Sequence, residues 1–160
     1  LYCGLILTER GIRVIEFNAR FGDPETQVVL RRLTSSLSGL LYKAATGQLN
    51  GTATPDFTKD VAITVVLASE GYPDTSAPNR PIYGLGEAEE TGIEICHAAT
   101  AFQETRTGEE VLVATGGRVL SVVATGTDFA SARKQAYAGI EKIQLEGSHY
   151  RSDIAAKVAN

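Results

Sequence analysis

The chain has 160 residues, which is enough for one ordinary domain or two small ones. Its hydrophobic share of 43% and charged share of 21% are typical of a folded globular protein rather than a disordered one. A net charge of −4 gives no electrostatic reason to bind nucleic acid or an anionic membrane. The longest apolar run, VAITVVLA, is too short to span a bilayer.

Two short strands are predicted at residues 2–7 and 12–17, joined by the turn sequence TERG. The chain begins in this apolar strand without a methionine or a polar lead-in. We therefore expect it to be the C-terminal part of a longer protein, whose N-terminal part is its partner.

A helical region follows, with Asp23 predicted at the N-cap and Pro24 at the first helical position. Its apolar stripe runs to Gly47, a predicted C-cap, and Thr34-Ser35-Ser36 is expected to interrupt it and cap a second helix. The next residues are polar and rich in turn formers. We therefore divide the chain into a first unit (1–50), a linker (51–60) and a second unit (61–160).

The second unit is rich in strands and makes the predicted fold class α+β. We predict strands at 61–68 and 93–102, an irregular proline-containing stretch at 70–90, a hairpin turning at Gly116-Gly117, and a final helix. Asp128 or Thr127 is expected to cap that helix, which packs through an apolar stripe.

The two cysteines, Cys3 and Cys96, match no metal-ligand spacing and lie in apolar runs. We interpret them as reduced core residues, which favours an intracellular, cytoplasmic protein. His97 is interpreted as a structural histidine.

The stretch VIEFNARF alternates strictly, which predicts a strand with one buried face and one polar face. Glu16 and Asn18 project in the same direction, so both can offer oxygen ligands to one Mg²⁺ ion. Arg20 follows on this face and can hold a phosphate. The alternative is an ordinary solvated strand face. Likewise, Asp23 and Glu25 can simply begin the following helix.

The sequence GIRVIEFNARFGDPETQ closely resembles the metal-binding segment of the phosphoribosylamine–glycine ligase family, ATP-grasp enzymes of purine biosynthesis. Five further segments follow the order found in that family: LYCGLILT, GYP, CHAAT, TGGRVLSVVATG and SHYRSDIA. The resemblance implies the C-terminal part of an ATP-grasp core followed by a small β-rich domain with a hairpin and a packed helix.

The resemblance also implies chemistry. It makes Glu16 and Asn18 ligands of Mg²⁺ or Mn²⁺ beside ATP, and Arg20 a catalytic residue at the transferring phosphate. Asp23 and Glu25 become candidates for binding glycine or 5-phosphoribosylamine. Arg118 becomes a candidate for binding a substrate phosphate, with an ordinary hairpin arginine as the alternative.

Some features depart from the family pattern. The strand LYCGLIL has no acidic metal ligand, CHAAT stands where the family has HAGT, and DTSAPNRP lacks a Lys-Gly segment. Two other functions therefore stay open: a non-catalytic C-terminal module of a split or truncated protein, and an ATP-grasp enzyme with another substrate. The RFGDPETQ extension favours the glycine ligase over the latter.

Overall fold

The structure is a computed structural model that describes residues 1–159. Its first element is the predicted hairpin, in which β1 (Tyr2–Thr8) pairs antiparallel with β2 (Gly11–Asn18). The register shifts between Gly4 and Leu5, which leaves an additional residue, Ile15, on β2. Strict alternation gave no sign of this bulge.

The prediction that one face of β2 is buried is wrong for the described chain. Ile15 and Phe17 are 65% and 64% exposed, and apolar residues of β1 such as Leu7 are exposed as well. Cys3 is also exposed, so its assignment to the core is wrong, whereas Cys96 is half-buried. Alternation identifies which residues share a face, but the presence of a covering element depends on tertiary structure.

Two short helices follow, α1 (Glu25–Arg32) and α2 (Leu37–Ala45). Their separation was predicted correctly: the Ser36 hydroxyl caps α2 by accepting from the amide of Gly39 at 3.2 Å. The C-cap of α2 is Thr46, one residue earlier than predicted, and Gly47 follows it with a φ of +71°, the left-handed conformation common for a glycine after the C-cap. The prediction for Asp23 is wrong, because Pro24 occupies the N-cap position of α1 and makes no side-chain cap.

The second unit contains two three-stranded antiparallel sheets. Their strands are β3 (Val61–Ala68), β4 (Arg80–Pro81), β5 (Glu94–His97), β6 (Thr100–Glu104), β7 (Glu110–Ala114) and β8 (Arg118–Gly126). One sheet has the order β3-β8-β5 and the other the order β4-β7-β6. The central strand, β8, is almost entirely buried from Val119 to Ala124.

Two predictions fail where the chain passes from one sheet to the other. The strand predicted at 93–102 is divided into β5 and β6, and β7 does not pair with β8 across Gly116-Gly117. Neither glycine adopts a positive φ. Gly117 is needed for space instead, because a Cβ at this position would overlap the ring of Tyr72. At this corner, the amide of Ala99 donates to the carbonyl of Arg118 at 3.1 Å.

Two more helices complete the second unit, α3 (Leu85–Glu89) and α4 (Phe129–Ile140). The stretch predicted to be irregular at 70–90 thus contains β4 and α3. Asp128 caps α4 as predicted, in a reciprocal capping box with Ser131. One side of α4 packs on β3 and β8. The largest fully buried side chains are Leu67, Leu120, Ile140, Val65, Val119 and Val122.

The two units are in contact. α1 packs against β3 and β8, and Arg31 forms an ion pair with Glu94. The linker contacts α1 as well, because the carbonyl of Arg32 accepts from the amide of Thr58 at 2.8 Å. The predicted fold class, α+β, is confirmed, and none of the described helices is long and apolar enough to cross a membrane.

Candidate functional site

The polar face of β2 is formed by Glu16 and Asn18. The strand register places Gly4 opposite Glu16 and Tyr2 opposite Asn18, so these four positions share one face of the hairpin. A Cβ on Gly4 would lie 3.1 Å from Cγ of Glu16, so the glycine leaves the space that the Glu16 side chain occupies. Glu16 is exposed and Asn18 is half-buried.

These two residues offer one carboxylate and one amide oxygen. Within residues 1–159, no group of three His, Cys, Asp or Glu side chains is placed to hold a metal ion. Two oxygen donors fit Mg²⁺ or a similar hard cation, which commonly takes one or two protein ligands and completes its shell with water and phosphate. They do not fit a structural zinc site, which needs four ligands rich in sulfur and nitrogen.

A cavity of about 500 Å³ lies beyond the end of β2. Arg20 and Glu25 line it together with Tyr2, Phe21 and Val29. The walls therefore combine apolar surface with one cationic and one anionic group. The Arg20 guanidinium donates to the carbonyl of Phe21 at 3.0 Å, which keeps the side chain close to its own backbone.

Glu25 is directed back towards the hairpin. A Cβ on Gly22 would overlap Oε2 of Glu25, so the carboxylate lies directly against that glycine. The negative charge of Glu25 raises the pKa of the Tyr2 hydroxyl, and desolvation, a hydrogen bond to Glu25 and the charge of Glu16 raise it further. Tyr2 thus lies within the influence of both carboxylates.

Asp23 contacts the second unit. Nη2 of Arg118 lies 3.3 Å from Oδ2 of Asp23, and Nη1 of Arg118 donates to the Asp23 carbonyl at 2.9 Å. Oδ1 of Asp23 accepts from Nε2 of Gln27 at 2.9 Å. The two oxygens of this carboxylate therefore contact different elements, Gln27 of α1 and Arg118 of β8.

The candidate residues therefore fall into two groups. In the first group, Glu16 shares the hairpin face with Asn18, and Tyr2 on that face lines the same cavity as Arg20 and Glu25. Asp23 and Arg118 pair with each other at the boundary between the units.

The residue that sequence reasoning missed is Tyr2. The sequence feature that could have identified Tyr2 is its position in the hairpin, but the bulge changes which residue of β2 lies opposite Tyr2.

Two remaining titratable residues do not join this site. Nδ1 of His97 lies 3.0 Å from the Thr100 hydroxyl, a local contact that agrees with a structural role. The pKa of the Cys96 thiol is raised, mainly by burial and also by the charges of Glu94 and Asp23. A thiol with a raised pKa is a poor nucleophile at neutral pH, so Cys96 does not suggest covalent catalysis.

Comparison with known proteins finds two families that match parts of this chain. Residues 62–157 match the family described as phosphoribosylglycinamide synthetase, C domain, and residues 1–26 match the ATP-grasp (A) domain of that synthetase. The phosphoribosylamine–glycine ligase of Leifsonia xyli subsp. xyli is 60% identical over 98% of this chain and 37% of its own length. The enzyme of the same name from Streptomyces coelicolor is 51% identical over 99% of this chain and 38% of its own length.

A solved structure agrees with these matches. The crystal structure of phosphoribosylamine–glycine ligase from Thermotoga maritima is 35% identical, with a TM-score of 0.74, over 96% of this chain and 36% of that one. The chain thus spans little more than a third of the length of these relatives. Because the C-domain match covers more than half of the 160 residues and a solved relative shares the fold, the chain belongs to the phosphoribosylglycinamide synthetase family of ATP-grasp ligases.

Proposed function

We propose that the whole protein containing these residues is a phosphoribosylamine–glycine ligase of de novo purine biosynthesis. It would join glycine to 5-phosphoribosylamine, consume ATP, and release ADP and phosphate. The observation that carries the proposal is the polar face of β2, where Glu16 and Asn18 stand within EFNARFGDPETQ. The identity of 60% with a relative of that name supports it.

In this proposal, residues 1–50 end the ATP-grasp core, residues 51–60 are a linker, and residues 61–160 form the small C-terminal domain. The partners are small molecules and the rest of the same protein. Nucleic acid and membranes have no role, and the reaction takes place in the cytoplasm.

Glu16 and Asn18 would hold Mg²⁺ or Mn²⁺ through their side-chain oxygens. Such an ion neutralises negative charge on the phosphates of ATP as the phosphoryl group is transferred. Arg20, which lines the cavity beyond the end of β2, would supply a positive charge that orients a phosphate or an acyl phosphate. Asp23 and Glu25 add negative charge suited to binding an amine, while Arg118 has the charge suited to a substrate phosphate.

The proposed reaction has two steps. A carboxylate oxygen of glycine attacks the γ-phosphorus of ATP, which breaks the bond to the bridging oxygen and gives glycyl phosphate and ADP. The amine of phosphoribosylamine then attacks the acyl carbon, so that an amide bond forms, phosphate leaves and one proton is released. The protein contributes mainly orientation and charge stabilisation, since neither step requires a covalent bond to a side chain.

The experiment that tests the proposal is ADP release by the gene product that contains these residues. Mg²⁺-ATP, glycine and freshly prepared phosphoribosylamine are supplied together, and each is then omitted. Full release that needs both glycine and phosphoribosylamine is the expected result. Release that is indifferent to glycine would point to an ATP-grasp enzyme with another substrate.

A second candidate is a non-catalytic C-terminal module. It is favoured by the buried core that the second unit forms around β8. The absence of ADP release under all conditions, from a protein with a cooperative unfolding transition, would support this candidate.

A further inference from the structure

We propose that Arg118 is a positioning residue that acts through Asp23 and fixes the turn carrying Glu25. This inference rests on the proposed function and gives Arg118 a role different from direct contact with a substrate phosphate. It is drawn from the contacts that join the start of β8 to the segment between β2 and α1.

Arg118 is itself held on a rigid support. It is the first residue of β8, its carbonyl accepts from the amide of Ala99, and its neighbour Val119 is fully buried. The preceding residue, Gly117, lies against the ring of Tyr72 without space for a Cβ. The guanidinium therefore extends from a fixed corner of the second unit.

The guanidinium binds Asp23 at two points, the backbone carbonyl and Oδ2. Binding of both backbone and side chain restricts the main chain of the turn as well as the carboxylate. Because Oδ1 is bound by Gln27, the same carboxylate also connects this turn to α1. One N–H of Arg118 thereby donates to the Asp23 carbonyl, and a second guanidinium nitrogen is in ion-pair contact with the Asp23 carboxylate, which leaves fewer free N–H groups for binding a phosphate.

The turn in question carries Glu25. The amide of Thr26 donates to the carbonyl of Gly22 at 3.1 Å, and Glu25 packs over that glycine. Glu25 and Tyr2 line the same cavity, and Tyr2 lies on the same hairpin face as Glu16. A continuous series of contacts therefore leads from Arg118 through Asp23 to Glu25, beside the proposed metal ligands.

The chain offers a matched control. Arg31 on α1 pairs with Glu94 on β5, so it also connects the first unit to the second. Its side chain is 42% exposed, the same value as for Arg118. Arg31→Met removes an ion pair of the same kind and exposure without touching the turn at Asp23.

The first test is kinetic and uses the complete gene product with Arg118→Met, Asp23→Asn, the double variant and Arg31→Met. We expect kcat to fall by about tenfold or more in the first two, because small displacements of a substrate-binding group are costly. The double variant should lose no more than Arg118→Met alone, since Arg118→Met already removes the ion pair that Asp23→Asn weakens. Arg31→Met should stay within about twofold of wild type.

A direct phosphate contact gives a different pattern. In that case, Arg118→Met raises KM for phosphoribosylamine with little change in kcat, and it does so equally in the Asp23→Asn background. Additive effects of this kind would overturn the inference. An equal loss in Arg31→Met would also overturn it, because general contact between the units would then explain the result.

The second test does not depend on activity. Hydrogen exchange of the Thr26 amide reports whether the turn is closed. We expect faster exchange in Arg118→Met and unchanged exchange in Arg31→Met, at an unchanged unfolding temperature. If the wild-type protein shows no ligase activity, the proposed function fails, yet this measurement still decides whether Arg118 holds the turn. Unchanged exchange in Arg118→Met would refute the inference.

Discussion

The centre of the β3-β8-β5 sheet provides the clearest stability prediction. Leu120 lies on the central strand, opposite Leu67 of β3 and His97 of β5, and it is fully buried. Replacing a buried leucine by alanine removes apolar contacts and leaves a cavity, at a cost of about 2–5 kcal/mol. We place Leu120→Ala at about 3–4 kcal/mol, because a strand paired on both sides has little freedom to collapse into the cavity.

For a chain of this length, each kcal/mol lowers the unfolding temperature by about 2–4 °C, so the expected decrease is roughly 6–16 °C. The matched control is Leu7→Ala on β1, where the side chain is 80% exposed and the expected effect is within about 0.5 kcal/mol. Thermal and urea unfolding of the 160-residue chain, followed by circular dichroism, measures both variants. Equal losses in the two variants would refute the placement of β8 at the centre of the core.

The corner between the sheets and the capped helix give two further predictions. Gly117→Ala should destabilise the chain by about 1–3 kcal/mol in urea unfolding, because the new Cβ would overlap the Tyr72 ring. The control is Gly86→Ala on α3, where the space around the glycine is open, and it should be neutral or slightly stabilising. A neutral Gly117→Ala would show that the ring does not limit this position. Hydrogen bonding to Ser131 lowers the pKa of the Asp128 carboxyl in the folded state. The stability that the ionised carboxylate adds to the folded chain is therefore present above the ordinary aspartate pKa, and it is lost as the pH falls through the lower folded-state pKa. The stability advantage of wild type over Asp128→Asn should therefore shrink on acidification, and an advantage independent of pH would contradict the assigned cap.

Local patterns predicted the elements whose signals are contained in a few neighbouring residues. The serine before α2, the glycine after it and the aspartate before α4 each act within about one turn of helix. The apolar run of β3 was long enough to identify a buried strand. These features need no information about which distant segments meet.

Several of the failures involve distant partners. Residues 93–102 read as one strand, but Ala98 and Ala99 bond to the start of β8, where the chain changes sheet. Gly116-Gly117 resembled a turn that needs positive φ, whereas the close approach of Tyr72 explains Gly117. No local pattern reveals that an aromatic ring from a distant loop will cover a glycine.

At the candidate site, too, the face shared by Glu16 and Asn18 was predicted from the local pattern, whereas the contacts with other segments were not. Alternation correctly placed Glu16 with Asn18, because both follow the bulge. Counting the hairpin back from its turn without the bulge would have put Cys3 opposite Glu16 and moved Tyr2 to the other face. A shift of one residue exchanges the faces of a strand, which is why Tyr2 was missed. The ion pair between Asp23 and Arg118, 95 residues apart, likewise needed the structure.

The most direct test of the account is the turnover of Glu16→Gln in the complete gene product, measured as ADP release with both substrates present. The matched control is Glu9→Gln, an exposed glutamate at the tip of the same hairpin. We predict that Glu16→Gln loses turnover by at least about a hundredfold while its unfolding temperature stays that of wild type, because the residue is exposed and a neutral amide is a weaker metal ligand. Glu9→Gln should retain full activity. Near-normal turnover in Glu16→Gln would contradict the assignment of the β2 face as the catalytic metal site.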